Sequence, residues 1–295
     1  MDIISRFHIR DLRLRAYTSI TTDTVRSLTD IHATTPSATR AFGRAITATA
    51  LLGATLKPDS AQTITLKFSG SGPIREVHVQ SDARGNIRGY VSNPAIDGAG
   101  EIRLIEFSRL IGAGMLTITK DIGLREPYTS VMPLLHGDIS RDLASYLATS
   151  EQTPSALIIG LAMNSDGSIS ASGGILIQTF PDTTPDVVER VETSIAGAAQ
   201  PLGEFLRGGG AISHYLSGLL GGAAAELLAE TTLSAACRCN RALIGAILQS
   251  LGEDELRDMI EKDGGAELAC LFCRQKYHFS ADDLRAIVTN SAVSN

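Results

Sequence analysis

The spacing of the four cysteines constrains this chain of 295 residues more than any other feature. They form two close pairs, Cys237-Arg-Cys239 and Cys270-Leu-Phe-Cys273, with thirty residues between the pairs. Two thiol pairs joined by a loop of this size match what a tetrahedral zinc site needs, because each pair can hold the metal from one turn. We therefore predict that Cys237, Cys239, Cys270 and Cys273 together bind one zinc ion.

Several basic side chains lie close to these cysteines in the sequence. A zinc ion bound by four thiolates carries a net negative charge, which neighbouring cations could offset. His278 is a further candidate ligand, but four cysteines already complete a structural site, so we expect it not to bind the metal. The side chains within five residues of a cysteine either offset the charge or form an ordinary solvated surface, and they are Arg238, Arg241, Arg274, Lys276 and His278.

Two structural disulfides are the alternative use of four cysteines, and secreted proteins favour it. The first eleven residues, which begin Met-Asp-Ile-Ile-Ser-Arg, contain no apolar run of the kind found in a signal peptide. We therefore expect a cytoplasmic protein. In that compartment the cysteine pattern indicates metal or redox chemistry.

The composition argues against several other classes of protein. Hydrophobic residues make up 43% of the chain, enough for a sizeable core, and the formal net charge of −6 argues against a general nucleic-acid binder. The most apolar long stretch, residues 211–228, includes His214, Glu226 and three glycines, so we expect no membrane span. The sequence has no Gly-x-x-x-x-Gly-Lys-Ser/Thr pattern, so we expect no nucleotide site.

Residues 1–181 mix helical and strand patterns. A helix is predicted from Ser37 to Leu56, because Thr35 can cap it and Pro36 suits its first turn. The alternating run Thr63–Phe68 and the turn at residues 164–167 indicate antiparallel strands. Further elements are expected as a helix at 139–150 and strands at 10–22, 74–80, 87–91, 102–107, 115–120, 128–132, 156–163 and 169–177. We therefore predict an α+β core domain built on an antiparallel sheet.

Residues 182–233 differ in character. Glycines recur there, including the run Gly208–Gly210, and each weakens a helix by up to about 1 kcal/mol relative to alanine. Leucine and aromatic residues lie between the glycines, so these helices should depend on packing against something else. We predict a helical, glycine-rich linker over residues 182–233 and a small zinc-binding domain over residues 234–295.

The last region is small enough for the metal to decide whether it folds. About sixty residues form a marginal core, whereas structural zinc contributes on the order of 10–16 kcal/mol of folding free energy. Oxidation is one way to lose the metal, because a disulfide sulfur is not a thiolate ligand. Cys270 and Cys273 are suitably spaced for a disulfide, and a Cys237–Cys239 bond would close a small, strained and easily reduced ring. The residues alone fit a static zinc ribbon as well, which is the commoner use of four cysteines.

The most specific motif of the chain is its ending, Cys237-x-Cys239 followed by Glu267-Leu-Ala-Cys270-Leu-Phe-Cys273-x-x-x-Tyr277-x-Phe279. Shorter motifs precede it along almost the whole chain, namely Thr47–Lys57, Gly72-Pro73, Arg88–Val91, Ser150-Glu-Gln152 with Pro154, and Gly173-Gly174 with Gln178 and Pro181. In these motifs and in their order the chain resembles the redox-regulated bacterial heat-shock chaperones called 33 kDa chaperonins.

This resemblance implies a holdase, which is a chaperone and not an enzyme, that binds unfolding client proteins without ATP. It implies that the reduced protein binds zinc and is inactive. Oxidation would then form two disulfides, Cys237 with Cys239 and Cys270 with Cys273, with release of zinc and unfolding of the zinc domain and linker. It further implies a role in oxidative stress and a homodimer as the active form.

Two other functions stay open at the level of the sequence. A thiol-disulfide oxidoreductase would need an attacking cysteine of low pKa and would turn over a dithiol substrate. A static zinc-ribbon adaptor would bind a partner protein or nucleic acid in its reduced, metal-loaded form, and binding to nucleic acid would weaken with salt.

Overall fold

The structure, a computed structural model, describes residues 1–97 and 104–293. The chain divides into two compact units, Met1–Ala236 (unit 1) and Cys237–Asn295 (unit 2). Both units combine helices with antiparallel strands, so the predicted α+β class is confirmed. Among the described residues, the helices are all too short or too polar to cross a lipid bilayer.

Unit 1 alternates strands and helices along its length. Its strands are β1 (Ile3–Ile9), β2 (Leu14–Ile20), β3 (Thr63–Gly70), β4 (Glu76–Asp82), β5 (Asn86–Val91), β6 (Gly114–Asp121), β7 (Tyr128–Pro133), β8 (Ser155–Met163), β9 (Ile169–Thr179), β10 (Glu226–Thr232) and β11 (Ser234–Ala235). Its helices are α1 (Thr22–Ile31), α2 (Pro36–Gly53), α3 (Phe107–Ile111), α4 (Ile139–Thr149), α5 (Pro185–Ala196), α6 (Leu202–Arg207) and α7 (Ile212–Leu219).

The strands of unit 1 form two sheets. Sheet A has the order β10-β1-β2-β9-β8, and every neighbouring pair is antiparallel. Sheet B has the order β11-β5-β4-β3-β6-β7, and its pairs are antiparallel except for the parallel pair of β11 with β5. The last segment of unit 1 therefore contributes one edge strand to each sheet.

Helix α2 lies in the main core and packs against strands of both sheets. It begins at Pro36, one residue before the predicted start, with Thr35 in an extended conformation before it. The predicted cap was wrong in one respect: the Thr35 side chain makes no capping hydrogen bond, because its hydroxyl donates to Pro94 O at 3.2 Å instead. Its small residues allow this close packing: a Cβ atom on Gly43 would lie 2.6 Å from Leu161 Cδ1 and 2.8 Å from Val25 Cγ1. The alanine-rich sequence of α2 is thus explained by contact on two sides.

The opposite face of sheet A is covered by α5, α6 and α7. A second hydrophobic cluster forms there, in which Leu14 and Ile177 from the strands meet Leu202 and Leu216 from the helices. Helix α6 approaches β8 so closely that a Cβ atom on Gly160 would lie 2.4 Å from the backbone nitrogen of Gly203. These short, glycine-interrupted helices do pack against another part of the molecule, as we expected. The division of the chain into residues 1–181, 182–233 and 234–295 stays a prediction.

Some local predictions were wrong. Residues 226–232 were expected to belong to a helical linker but form β10, an edge strand whose exposed leucines show no alternation. Strand β1 was not predicted, because it is an internal strand with buried residues on both faces and lacks the period-two pattern. Of the strand expected at 102–107, residues 102–103 lie outside the described residues, and helix α3 begins at Phe107.

Unit 2 is built from α8 (Arg241–Gln249), α9 (Glu253–Asp263), the antiparallel pair β12 (Gly265–Ala269) and β13 (Lys276–Ser280), and α10 (Ala281–Val293). A capping box precedes the last helix, since Ser280 N donates to Asp283 Oδ2 at 2.8 Å and Asp283 N donates to Ser280 Oγ at 3.2 Å. A small hydrophobic core joins these elements, and its buried members are Ile244, Leu248, Leu256, Phe279 and Leu284.

Candidate metal centre

The four cysteines of unit 2 converge on one point. Their Sγ atoms all lie within 4.8 Å of one another. The Sγ atoms of Cys237 and Cys270 are 3.7 Å apart, and those of Cys239 and Cys273 are 3.3 Å apart. All four are free thiols, and Cys270 is the most buried, with 8% of its surface exposed. The convergence predicted from the spacing is therefore present in the structure.

Two backbone segments place the thiols. Cys237 and Cys239 immediately precede α8, whose start is fixed by Asn240, because its side chain accepts a hydrogen bond from Leu243 N at 2.9 Å. Cys270 and Cys273 lie in the turn between β12 and β13. There the backbone of Cys270 accepts a hydrogen bond from Arg274 N and donates one to Gln275 O, both at 2.9 Å.

The turn between β12 and β13 has the geometry of a metal-binding knuckle. Arg274 takes a left-handed conformation with φ of 59°, which reverses the chain directly after the second thiol. The backbone N–H of Gln275 points to the Cys273 sulfur as a hydrogen-bond donor. The strand pair thus holds both thiols on one side of a tight turn, with backbone donors available to stabilise thiolates.

The donor set fits a tetrahedral metal site. Zinc–sulfur distances of about 2.3 Å place the four sulfurs of a regular tetrahedron about 3.8 Å apart. The Cys237–Cys270 and Cys239–Cys273 separations of 3.7 and 3.3 Å and the upper limit of 4.8 Å for all pairs bracket that value. Four cysteine sulfurs are also the donor type that selects soft or borderline metals over calcium or magnesium. The four cysteines could therefore hold a metal ion.

The crowding of the thiols has an electrostatic cost. Burial raises the pKa of Cys273 to about 12, and contacts with the other three thiols act in the same direction, against the backbone donor of Gln275. Like charges brought together in a partly buried place resist ionisation. A bound cation removes that cost, because it favours the thiolate form of every donor.

Tyr277 is a member of the site to which the sequence alone assigned no role. Its hydroxyl donates a hydrogen bond to Cys239 Sγ at 3.2 Å. That contact raises the pKa of Tyr277 to about 12. The register of the β12–β13 pair, in which Tyr277 lies opposite Leu268, carries the ring back towards the thiols. The alternation of Tyr277 and Phe279 along β13 was the available signal, but it does not identify a sulfur as the partner.

The nearby basic side chains are largely paired with carboxylates. Lys276 Nζ lies 2.8 Å from Glu267 Oε1, and His278 Nδ1 lies 3.2 Å from Glu267 Oε2. Arg241 pairs with Asp283 at 2.9 Å, and its guanidinium lies over the Phe279 ring at 4.3 Å. Lys276 and His278 therefore link the two strands of the hairpin, and Arg241 links α8 to α10. That His278 is not a metal ligand stays a prediction.

Comparison with known proteins gives consistent matches along the chain. A family profile described as Hsp33 protein matches residues 2–280. A protein named 33 kDa chaperonin from Geobacillus sp. (strain WCH70) is 38% identical over 279 residues, covering 94% of each chain. Another of that name, from Citrifermentans bemidjiense, is 38% identical over 292 residues, covering 99% of this chain and 98% of the relative.

A solved structure gives the same answer for the fold. The crystal structure titled 33 kDa chaperonin (heat shock protein 33 homolog) from Thermotoga maritima superposes with a TM-score of 0.86 at 31% sequence identity. The match covers 99% of both chains, so it includes the segments that carry the four cysteines.

Proposed function

The chain belongs to the Hsp33 family, and from that premise we propose that it is a redox-regulated chaperone that holds unfolding proteins without ATP and prevents their aggregation. The observation that carries the proposal is the convergence of four free thiols in a unit with a very small core. A cluster of this kind can act both as a metal site and as an oxidant target. The family membership supplies the chaperone part of the proposal.

In the reduced protein, Cys237, Cys239, Cys270 and Cys273 would bind one zinc ion. Zinc bound in this way supplies on the order of 10–16 kcal/mol of folding free energy. Whole domains are stable by only about 5–15 kcal/mol, so the thiolates would decide whether unit 2 folds. Tyr277 orients one of them through its hydrogen bond to Cys239.

Oxidation would convert the thiols to two disulfides, Cys237 with Cys239 and Cys270 with Cys273. Each disulfide forms when two thiolates give two electrons to one peroxide molecule, which also takes up two protons from the solvent. The O–O bond breaks, an S–S bond forms, and two water molecules leave. The oxidised chain no longer offers thiolate ligands, so it cannot retain the metal.

The choice of disulfide partners matters for the outcome. The sulfurs of Cys237 and Cys270, and of Cys239 and Cys273, are already close, at 3.7 and 3.3 Å. Bonds between those partners would join the two ends of unit 2 and keep it closed. The pairing within each pair is the one that the family membership implies. Bonds within each pair leave the two ends of unit 2 unconnected, so this pairing is compatible with unfolding.

The surface that would bind clients lies under the outer helices of unit 1. Helices α5, α6 and α7 cover an apolar face of sheet A that includes Ile9, Leu14, Ala16, Ile175 and Ile177. Glycines interrupt this layer of helices, and α6 and α7 are only 6 and 8 residues long. Helices this short depend on packing against sheet A for their stability. Loss of order in residues 182–233 would expose the apolar face to unfolding proteins.

The test is a comparison of reduced and oxidised protein as suppressors of aggregation of a heat-unfolded client. We expect suppression to rise after peroxide treatment and to fall again after reduction in the presence of zinc. Zinc content and free thiols, measured on the same samples, should fall together on oxidation. No gain of suppression on oxidation would refute the proposal.

The alternative functions make different predictions for the same samples. A thiol-disulfide oxidoreductase would turn over a dithiol substrate, and a static adaptor would bind its partner best when reduced and metal-loaded. A role in the cytoplasm during oxidative stress and a homodimeric active form remain predictions from the family. Size measurement of reduced and oxidised protein tests the dimer.

A further inference from the structure

Residues 226–236, which we call the strap, lie along the edge of both sheets of unit 1. Strand β10 pairs with β1 from Thr232 opposite Ile3 to Glu226 opposite His8. Two residues later the chain has crossed to sheet B, where β11 pairs with β5. Backbone bonds from Ser234 N to Gly85 O at 3.0 Å and from Ala236 N to Ile87 O at 2.9 Å complete this second attachment.

The strap is attached mainly through its backbone. Along β10 no residue is buried, and the side chains of Leu227 and Leu228 are 50% and 60% exposed. Leu233, between the two strands, is the residue of the strap that is buried, at 4%. Most side chains of the strap could therefore be exchanged without changing its pairing with the sheets.

A few polar contacts add to the backbone ladder. Ser5 Oγ donates to Glu230 at 2.9 Å, and Arg6 Nη1 donates to Thr231 Oγ1 at 2.8 Å. Arg10 Nε pairs with Glu226 at 2.8 Å, but both side chains are largely exposed. These contacts set the register of the strap rather than select a particular apolar sequence.

Departure of the strap would uncover a particular chemistry. Strand β1 would keep β2 as a neighbour and β5 would keep β4, and each would present a free row of N–H and C=O groups. Such an edge pairs with any extended polypeptide, because the backbone is common to all sequences. An unfolding protein offers many extended segments, whereas a folded protein offers few.

We propose that the strap occupies a strand-addition site for clients, and that the edges of β1 and β5 bind extended segments of unfolding proteins once it leaves. This inference rests on the proposed function, because it takes the release of residues 182–233 as its trigger and requires the release to continue through residue 236. It adds a second mode of recognition to the apolar face of sheet A. The backbone mode is independent of client sequence.

The other open edge of sheet B provides an internal control. Strand β7 ends that sheet, and the described residues place only β6 beside it. The side chains of Tyr128 and Val131 in β7 are 52% and 59% exposed in the structure, in which the strap is in place. Because this edge is accessible before oxidation as well as after it, it cannot account for an oxidation-dependent gain of binding.

The first experiment measures amide hydrogen exchange, residue by residue, in the full-length protein. Three samples are compared: reduced with zinc, oxidised, and oxidised with reduced and carboxymethylated α-lactalbumin, which stays unfolded without denaturant. We expect the β1 and β5 amides that face the strap to lose protection at least tenfold on oxidation and to regain it with the client. Amides of β7 should change less than twofold.

The second experiment separates backbone pairing from apolar contact. A synthetic peptide of residues 226–236 is compared with the same peptide N-methylated at residues 228, 229, 230 and 231. The methyl groups remove backbone N–H donors from both sides of the peptide strand but keep every side chain. We expect the unmodified peptide to bind the oxidised chain at least tenfold more tightly and to displace the unfolded client. Equal binding of the two peptides would overturn the inference.

The two experiments also separate this inference from the proposed function. If oxidation raises suppression of aggregation while the strap-facing amides of β1 and β5 stay protected, strand addition is wrong and the chaperone proposal stands. If oxidation raises neither the suppression of aggregation nor the exchange of the strap-facing amides, the proposed function is wrong. The strand-addition inference then fails with it, because the strap is not released.

Discussion

The two units of this chain are stabilised in different ways. Unit 1 has two sheets, with α2 packed against both, and its main core contains large buried side chains such as Phe42, Phe68 and Tyr146. Unit 2 has a much smaller core, whose buried members in the described range are Ile244, Leu248, Leu256, Phe279 and Leu284. The elements of unit 2 also meet at the cluster of four thiols.

This difference separates two kinds of sensitivity. Apolar burial contributes roughly 25 cal/mol per Å² and does not respond to oxidants. A four-thiolate metal site contributes on the order of 10–16 kcal/mol, but only while the sulfurs stay reduced. A chain that joins both can therefore lose unit 2 to oxidation and keep the main core of unit 1. The following predictions challenge that contrast, from the largest expected effect to the smallest.

Replacement of one thiol should unfold unit 2 and leave the main core of unit 1 intact. Cys270→Ser removes the most buried sulfur, which is 8% exposed, and leaves three ligands. We expect the substitution to abolish tight zinc binding, with a loss on the order of 10 kcal/mol of coupled folding free energy. Hydrogen exchange should show unit 2 unprotected and the core strands of unit 1 unchanged, and a zinc assay should show less metal per chain.

The matched control is Leu271→Ser in the same knuckle, whose side chain is 57% exposed and should matter little. Retained protection of α8 and α9 in Cys270→Ser would mean that the small core of unit 2 suffices without the metal. The contrast between the units would then be lost.

The same core substitution should have different consequences in the two units. Leu66 in β3 and Leu248 in α8 are both 0% exposed, and a leucine-to-alanine change at such sites costs about 2–5 kcal/mol. In Leu66→Ala the cost should appear as a lower free energy of unfolding of unit 1. In Leu248→Ala it should appear as weaker zinc binding, by about 30-fold or more, because folding and binding are coupled.

A competition assay with a zinc chelator measures this difference, and thermal unfolding measures the effect on unit 1. Zinc affinity that stays unchanged in Leu248→Ala would indicate that unit 2 folds before it binds the metal. Leu66→Ala serves as the control for zinc affinity and should leave it at the original value.

Much of the candidate site could be predicted from the sequence, because its information is local. The spacing of the two cysteine pairs predicted that Cys237, Cys239, Cys270 and Cys273 converge on one point, as they do in the structure. Ser280 and Asp283 are three residues apart, and their capping box needed no tertiary knowledge.

What could not be predicted depends on contacts between distant residues. The Tyr277 hydroxyl reaches Cys239, 38 residues away, because of a strand register that no local pattern defines. Strand β1 is buried on both faces and β10 on neither, so both lack the alternation that identifies a half-buried strand. The position of a strand in its sheet, rather than its own sequence, decides that pattern.

Within unit 1, the outer layer should be easier to loosen than the main core. In Gly160→Ala the new Cβ would meet the backbone of Gly203 at 2.4 Å and of Leu202 at 2.8 Å, and backbone atoms cannot move aside cheaply. We expect the packing of α6 against β8 to be destabilised by about 1–3 kcal/mol. Exchange in α5–α7 should rise before that in α2, and suppression of aggregation should begin at a lower oxidant dose.

Gly218→Ala in α7 is the matched control, because the added Cβ would meet nothing within 4 Å beyond its chain neighbours and the backbone of its own helix, and alanine favours a helix by about 1 kcal/mol over glycine. It should leave the outer layer unchanged or slightly more stable. Equal exchange in the two variants would show that the glycines of this region are not packing positions.

The smallest effect is expected at the edge of the metal site. Tyr277→Phe removes the hydroxyl that donates to Cys239 Sγ at 3.2 Å and keeps the ring. Groups that hydrogen-bond to a metal ligand typically contribute about 10-fold or more to metal affinity. We expect zinc affinity to fall by about 10-fold, with unit 2 still folded in excess zinc.

Tyr128→Phe, at a 52% exposed position of β7, is the control and should change neither property. An unchanged zinc affinity in Tyr277→Phe would mean that the four sulfurs alone determine how tightly the metal is bound. The contrast with unit 1, where many side chains share the stability, would then be sharper.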